Sequence, residues 1–315
     1  HFAYTTIPVT SASFAHFLRS FLKKIYKFLV STFCLAMLCG CTINVGTSDD
    51  NTVSNKKDET TVTTTQKPSE TATETTTETP SADPVASLND LSSSKVVWGP
   101  GTITDHKQPT DPVSLQETFG KYNGTWLLND SKSICLTFDE GYENGYTPTI
   151  LDTLKRKNVK AIFFVTYDFA KENPKLIKRM IDEGHIVGNH SYRHLTMDEI
   201  DDEKATEEVE YLHNYIKKNF NYTMSYFRFP KGEFSQRSIA LVNNMGYKSV
   251  FWSFAYADWD PDNQQDKDTA YKNICNSTHS GEIMLLHAVS KTNAEILGDV
   301  IDDIKQQGYT FTTKI

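Results

Sequence analysis

Residues 134–143 read Ile-Cys-Leu-Thr-Phe-Asp-Glu-Gly-Tyr-Glu (ICLTFDEGYE). The first five are apolar or β-branched, as in a buried strand, and the run then meets two carboxylates and a glycine. Side chains of neighbouring strand residues point to opposite faces, so Asp139 and Glu140 cannot form one solvated stripe. At the C-terminal end of a strand they can enter a cleft with separate roles. An acidic turn after a strand is the plainer explanation, and only the rest of the chain decides between the two.

Downstream, strand and helix patterns alternate. A helix opened by Pro148 covers 148–157, and the apolar run 160–166 (KAIFFVT) predicts a buried strand. Helices follow over 173–183, 203–218, 235–245, 268–277 and 294–307, with Gly184, Gly246 and Gly308 as stops. Strands are expected at 185–188, 225–228, 248–252, 282–286 and 309–312, and the segment before 134 reads mostly as loop. This order predicts about seven parallel strands covered by helices. No glycine-rich phosphate loop supports an open doubly wound sheet. The expected fold is therefore α/β, a (β/α) barrel that is distorted or incomplete. In such barrels chemistry lies where strands end and βα loops begin.

The flanking sequence sets the address. The 315-residue chain has a net charge of −8 and a sequence pI near 5.6, against the basic face that a nucleic-acid binder needs. Arg19, Lys23, Lys24 and Lys27 precede an apolar segment over 28–38, too short for a comfortable membrane span. It ends in Leu38-Cys39-Gly40-Cys41, which resembles the bacterial lipobox and makes Cys41 the expected lipidation site. An uncleaved membrane anchor is the alternative; both imply export. From 42 to 97 there is no Phe, Tyr or Trp, and twelve of the thirty residues over 51–80 are threonine. Such a stretch buries too little apolar surface to offset its ordering entropy, which predicts a disordered tether. The expected organisation is a signal peptide with lipobox over 1–41, a linker over 42–95 and a globular domain over 96–315. Cys135 and Cys275 lack metal-type spacing and read as buried thiols, with a disulfide left open.

Reactive residues gather at five expected strand ends. Asp139-Glu140 follows the first strand, and His190-Ser-Tyr-Arg-His194 follows the strand at 185–188. Arg228-Phe-Pro-Lys-Gly232 ends the strand at 225–228, Asp258-Trp259 lies beyond 248–252, and Leu285-Leu-His287 closes 282–286. Two imidazoles four apart share one face of a helical turn and can share a metal ion. Singly, each feature has an ordinary explanation: a surface pair, a hydrogen-bonded histidine, an ion-pair arginine. Coincidence at five strand ends is much harder to dismiss.

In this order the set resembles the polysaccharide deacetylase (NodB-homology, carbohydrate esterase family 4) domain over about 134–315, with four of five motifs matching at their key positions. The stretches GYENGYTPTILDTL, RFPKGEFS and FWSFAYADWDPDNQ are similar to the muramic-acid deacetylases that lead to the δ-lactam of spore-cortex peptidoglycan. The resemblance implies that Asp139 is the general base, held ionised by Arg228. It implies that His190 and His194 bind a divalent metal, zinc foremost, with cobalt or manganese as alternatives. The Lys231 N–H would stabilise the oxyanion, and His287, tuned by Asp258, would protonate the leaving amine. Trp259 and Leu285 would wall the acetyl methyl. The family's second aspartate, a metal ligand, is Glu140 here, and Glu140 is expected to keep that role. A further expectation is that the Lys231 side chain, or Arg193, pairs with the lactyl carboxylate of muramic acid.

The implied function is metal-dependent de-N-acetylation of the peptidoglycan glycan strand. A monomer would carry it out, lipid-anchored to the outer face of the cell membrane. The same chemistry on N-acetylglucosamine, chitin or another acetylated polysaccharide is the alternative. An inactive glycan-binding lipoprotein is a third reading, disfavoured because a binder has no need of a proton relay. A solute-binding lipoprotein fits the anchor but not the five motifs.

Overall fold

The computed structural model describes residues 87–315. The expected signal segment, Cys41 and the linker up to residue 86 lie outside the described residues. Residues Ser133–Glu140 form strand β2, buried at every position. It pairs in parallel with β3 (Ile162–Val165) on one side and β7 (Ile283–His287) on the other. Beyond β3 the sheet continues through β4 (Ile186–Asn189), β5 (Tyr226–Phe227), β6 (Lys248–Val250) and β1 (Gly124–Thr125). A last strand, β8 (Thr310–Phe311), pairs with the start of β2. The edge strands β1 and β7 do not pair; isolated bridges, Leu127–Glu282 just past β1 and Phe254–Met284 past β6, reach the β7 edge, so the eight-stranded parallel sheet is an unclosed (β/α) barrel.

Helices α1 (Thr110–Phe119), α2 (Thr147–Lys157), α3 (Tyr167–Glu172) and α4 (Pro174–Asp182) come first in the chain. Then come α5 (Asp202–Phe220), α6 (Gln236–Asn244), α7 (Lys267–Ser277) and α8 (Lys291–Gln306). Their starts are written locally: Asp201, Asp266 and Ser290 each accept a backbone N–H three residues on, and Ser235 with Ser238 forms a capping box. Helices α1 and α3 and the two-residue β1 are absent from the sequence reading. In α1 only Pro112 is buried, so its pattern offers almost no apolar stripe to detect. Contacts of the domain also begin before residue 96. Leu88 and Leu91 pack on the core, and Arg237 donates to Leu88 O at 2.8 Å.

Strand parity divides the core in two. Ile134, Leu136 and Phe138 join the large cluster under the helices, whereas Cys135, Ile162, Phe164, Tyr226, Val250 and Ile283 form a smaller cluster inside the barrel. Odd residues of β2 therefore face the barrel interior and even residues face the helices. Cys135 and Cys275 are both free and buried, and burial pushes the Cys135 thiol up to about 12.

Candidate active site

Parity decides the fate of the two carboxylates. Asp139 continues the interior-facing series and reaches a cavity of about 510 Å³ at the C-terminal end of the strands. Glu140 continues the outward series. It is fully buried, and its oxygens lie 3.5 and 3.4 Å from Thr147 Oγ1 at the start of α2. Burial raises its pKa well above the carboxylate range, and Glu143 adds to the effect. Glu140 lines no part of the cavity, so the expectation that it ligates a metal is corrected: β2 runs straight through both residues, and adjacent side chains diverge.

Asp139 is held by Arg228, which follows β5. Arg228 Nη1 donates to Asp139 Oδ1 at 2.9 Å and to Thr137 Oγ1 at 2.7 Å. Nε and Nη2 donate to the carbonyls of Val250 and Phe251 at 2.9 and 3.0 Å, and the guanidinium lies 4.2 Å over the Phe164 ring. Every nitrogen of this buried cation is thus engaged, the condition under which a buried ion pair is tolerated. Burial opposes ionisation of Asp139, but Arg228, His190 and His287 outweigh it and hold the carboxyl below its usual range.

The two imidazoles converge, though not on a helical turn. Residues 190–194 form a loop with left-handed Ser191 (φ 73°) and His194 (φ 58°). Local bonds fix it: Ser191 N donates to Asn189 Oδ1 and His194 N to Ser191 Oγ, each at 2.9 Å. The fully buried Glu208 of α5, which no motif marked, accepts the Arg193 N–H at 2.6 Å and so clamps the loop from behind. His190 Nδ1 donates to Arg228 O at 2.9 Å, which leaves Nε2 with its lone pair 3.4 Å from Asp139 Oδ2. His194 Nε2 stands 3.2 Å from His190 Nε2. Burial lowers the His190 pKa, and desolvation followed by His190 pushes His194 down to about 4, so both rings are neutral at ordinary pH.

That spacing fits a metal. Two imidazoles bound at about 2.0–2.1 Å to a tetrahedral ion stand about 3.3 Å apart. The donor set amounts to two nitrogens with one carboxylate oxygen beside them. Among the described residues no cluster of three or more His, Cys, Asp or Glu is arranged as a metal cage.

A third imidazole lines the same cavity. His287, at the end of β7, is hydrogen-bonded through Nδ1 to Asp258 Oδ1 at 2.7 Å. Burial alone would lower its pKa, but the bond to Asp258, the Asp258 charge and the Asp139 charge together raise it above 6.5. Trp259 and Leu285 line the cavity, with the Trp259 ring 6.0 Å from that of His287. Lys231 also lines it, from a left-handed turn (φ 59°) after β5, its Nζ donating to Thr196 Oγ1 at 3.1 Å. Gly232 follows at φ 71°, where a Cβ would meet the Trp252 ring at 2.5 Å; glycine alone lets this turn close against the cavity wall. Tyr142, Trp252 and Tyr256 complete the walls without having been marked in the sequence.

Arg193 does not line the cavity either. It is paired with Glu207, lies 3.3 Å from Glu208, and covers the Tyr192 ring at 4.3 Å, engagements along α5 that turn it away. Its selection as a binder of the lactyl carboxylate is therefore corrected.

One cavity thus brings together an ionised carboxylate, a histidine hydrogen-bonded to an aspartate, two neutral imidazoles and an apolar wall. The family model for polysaccharide deacetylase matches residues 128–250. Peptidoglycan-N-acetylmuramic acid deacetylase PdaA of Bacillus subtilis is 44% identical over 234 residues, 72% of this chain and 87% of that protein. The solved structure of B. subtilis PdaA, a family 4 carbohydrate esterase, aligns with a TM-score of 0.68 at 42% identity, covering 70% of this chain and 96% of that one. A peptidoglycan-N-acetylglucosamine deacetylase of Bacillus cereus is 30% identical over 201 residues, 60% of this chain and 90% of that protein.

Proposed function

The chain belongs to the polysaccharide deacetylase family, as a hydrolase acting on carbon–nitrogen bonds, and on that premise we propose that it deacetylates N-acetylmuramic acid in peptidoglycan. The muramic δ-lactam would be the eventual product. What carries the choice of sugar is identity: 44% to a muramic-acid deacetylase against 30% to a glucosamine deacetylase, each over most of the relative's length.

In this reading Asp139, aimed by Arg228, takes a proton from the water that attacks the acetamide carbonyl. The Lys231 backbone N–H receives the developing oxyanion. His287, protonated and oriented by Asp258, gives its proton to the nitrogen as the C–N bond breaks, and acetate leaves. Leu285 and Trp259 wall the acetyl methyl. A divalent ion, zinc or else cobalt or manganese, held by His190 and His194 would supply Lewis-acid polarisation of the carbonyl. A chelator is then expected to abolish acetate release, and added divalent ion to restore it, as read by an acetate assay.

The Lys231 side chain sits beside this centre and can pair with the lactyl carboxylate that distinguishes muramic acid from glucosamine. Lys231→Ala is expected to cut kcat/KM on muramic-acid substrates by about tenfold, the worth of one charged hydrogen bond. The same variant should change little on glucosamine oligomers. Equal losses on both refute this pairing.

The two proton carriers also fix the pH profile. Asp139 stays ionised to below the usual carboxylate range, and His287 stays protonated above 6.5. Activity needs both states, so kcat/KM should fall on the alkaline side as pH rises through the raised pKa of His287 and the ring loses its proton. A rate still rising well above neutrality contradicts these assignments.

Export and a cell-wall location follow from this substrate, with Cys41 as the lipid-anchored residue, the linker as spacer and the domain acting as a monomer. The reading is tested with purified peptidoglycan, stripped of stem peptides, against chitooligosaccharides. Acetate should come from the first. Equal release from the second favours glucosamine as the substrate.

A further inference from the structure

The acid side of the site is held by residues outside all five motifs. The Asp258 carboxylate takes three hydrogen bonds: His287 Nδ1 to Oδ1 at 2.7 Å, His287 N to Oδ2 at 2.8 Å, and Asn293 Nδ2 to Oδ2 at 2.6 Å. Asn293 stands in the first turn of α8, pinned where its own N–H meets Ser290 Oγ at 3.0 Å. Its Nδ2 also reaches His287 O at 3.2 Å, so one amide group ties the carboxylate to the backbone of the histidine it serves. An amide can turn over and present its oxygen instead. Here the Tyr256 hydroxyl donates to Asn293 Oδ1, which leaves only the NH₂ edge for Asp258. Asp258 and Asn293 are each 1% exposed, so this bond is made out of contact with bulk solvent.

We propose that Asn293, locked by Tyr256, is a positioning residue that keeps the Asp258–His287 dyad aligned and its shared proton on the imidazole. The proposal rests on the reading of His287 as the acid. Two donors on Oδ2 stop the carboxylate from rotating, so Oδ1 stays on Nδ1 and Nε2 stays aimed at the cavity. A donor to a carboxylate also stabilises the anion, which favours the proton on nitrogen over oxygen. The titratable and charged groups facing His287 are Asp258, Asp139, Arg228 and His190, none of which the test below alters; Tyr256, which faces Asp258, is varied by itself.

The test compares Asn293→Ala and Tyr256→Phe in the purified enzyme, with full pH–rate profiles and thermal unfolding. Removing a donor from a buried anion makes the dyad hold its proton to higher pH. Asn293→Ala should move the alkaline limb upward and lower kcat about tenfold, with KM little changed. Tyr256→Phe should move the limb the same way by less, while keeping the fold. Limbs that stay in place in both variants, whatever happens to the melting temperature, reduce Asn293 to a packing residue and overturn the proposal. His287→Gln separates the two ideas. If it keeps full turnover, the acid reading falls and this proposal with it; if it is inactive while Asn293→Ala leaves the limb unmoved, only the positioning role falls.

Discussion

Asp139→Asn should lower acetate release by about 10²–10⁴-fold, the usual worth of a positioned general base. The loss should appear in kcat, because asparagine keeps the shape of the side chain and lines the cavity equally well. It can still accept from Arg228 Nη1, now 2.9 Å from Asp139 Oδ1, so the enzyme should unfold cooperatively, with lowered stability from a less compensated buried cation. Near wild-type turnover in this variant would leave the cavity without its base and remove the hydrolytic reading altogether.

The second large effect concerns the other half of that pair. Arg228 is fully buried and donates to Asp139, Thr137, Val250 O and Phe251 O, tying the residue after β5 to β2, to the end of β6 and to the chain just past it. Arg228→Met fills much of the same space but strands an anion in the barrel. Breaking a buried pair from one side costs about 3–5 kcal/mol. Chemical denaturation should show a loss of that order, together with loss of activity, since an unpaired Asp139 would be held protonated by its surroundings. Combining Arg228→Met with Asp139→Asn should recover much of the stability and none of the turnover. A single Arg228→Met enzyme as stable as the parent would mean that the pair does not brace the barrel.

How much of this was legible beforehand follows from the range of the interactions. Alternating strand and helix patterns are local, so the parallel barrel and most of its elements could be read directly. Helix α1, with one buried residue, and β1, with two residues in all, lacked that local signal. The strand-end rule gathered Asp139, His190, His194, Arg228, Lys231, Asp258, Trp259, Leu285 and His287 around one cavity or directly against it. It failed for Glu140 because the strand continues two residues further than the apolar run suggests, and parity then turns that side chain toward α2. It failed for Arg193 because Glu207 and Glu208 of α5 take up its guanidinium. Asn293, Tyr256 and Glu208 act through contacts 15 to 37 residues apart in sequence, which no spacing rule encodes.

The most direct measurement is mass spectrometry of peptidoglycan incubated with the enzyme, then digested to muropeptides so that each lost acetyl group is assigned to its sugar. Loss confined to muramic acid, absent with Asp139→Asn, is the predicted result. Acetyl groups missing from glucosamine alone, or none missing with divalent ion supplied, would contradict it.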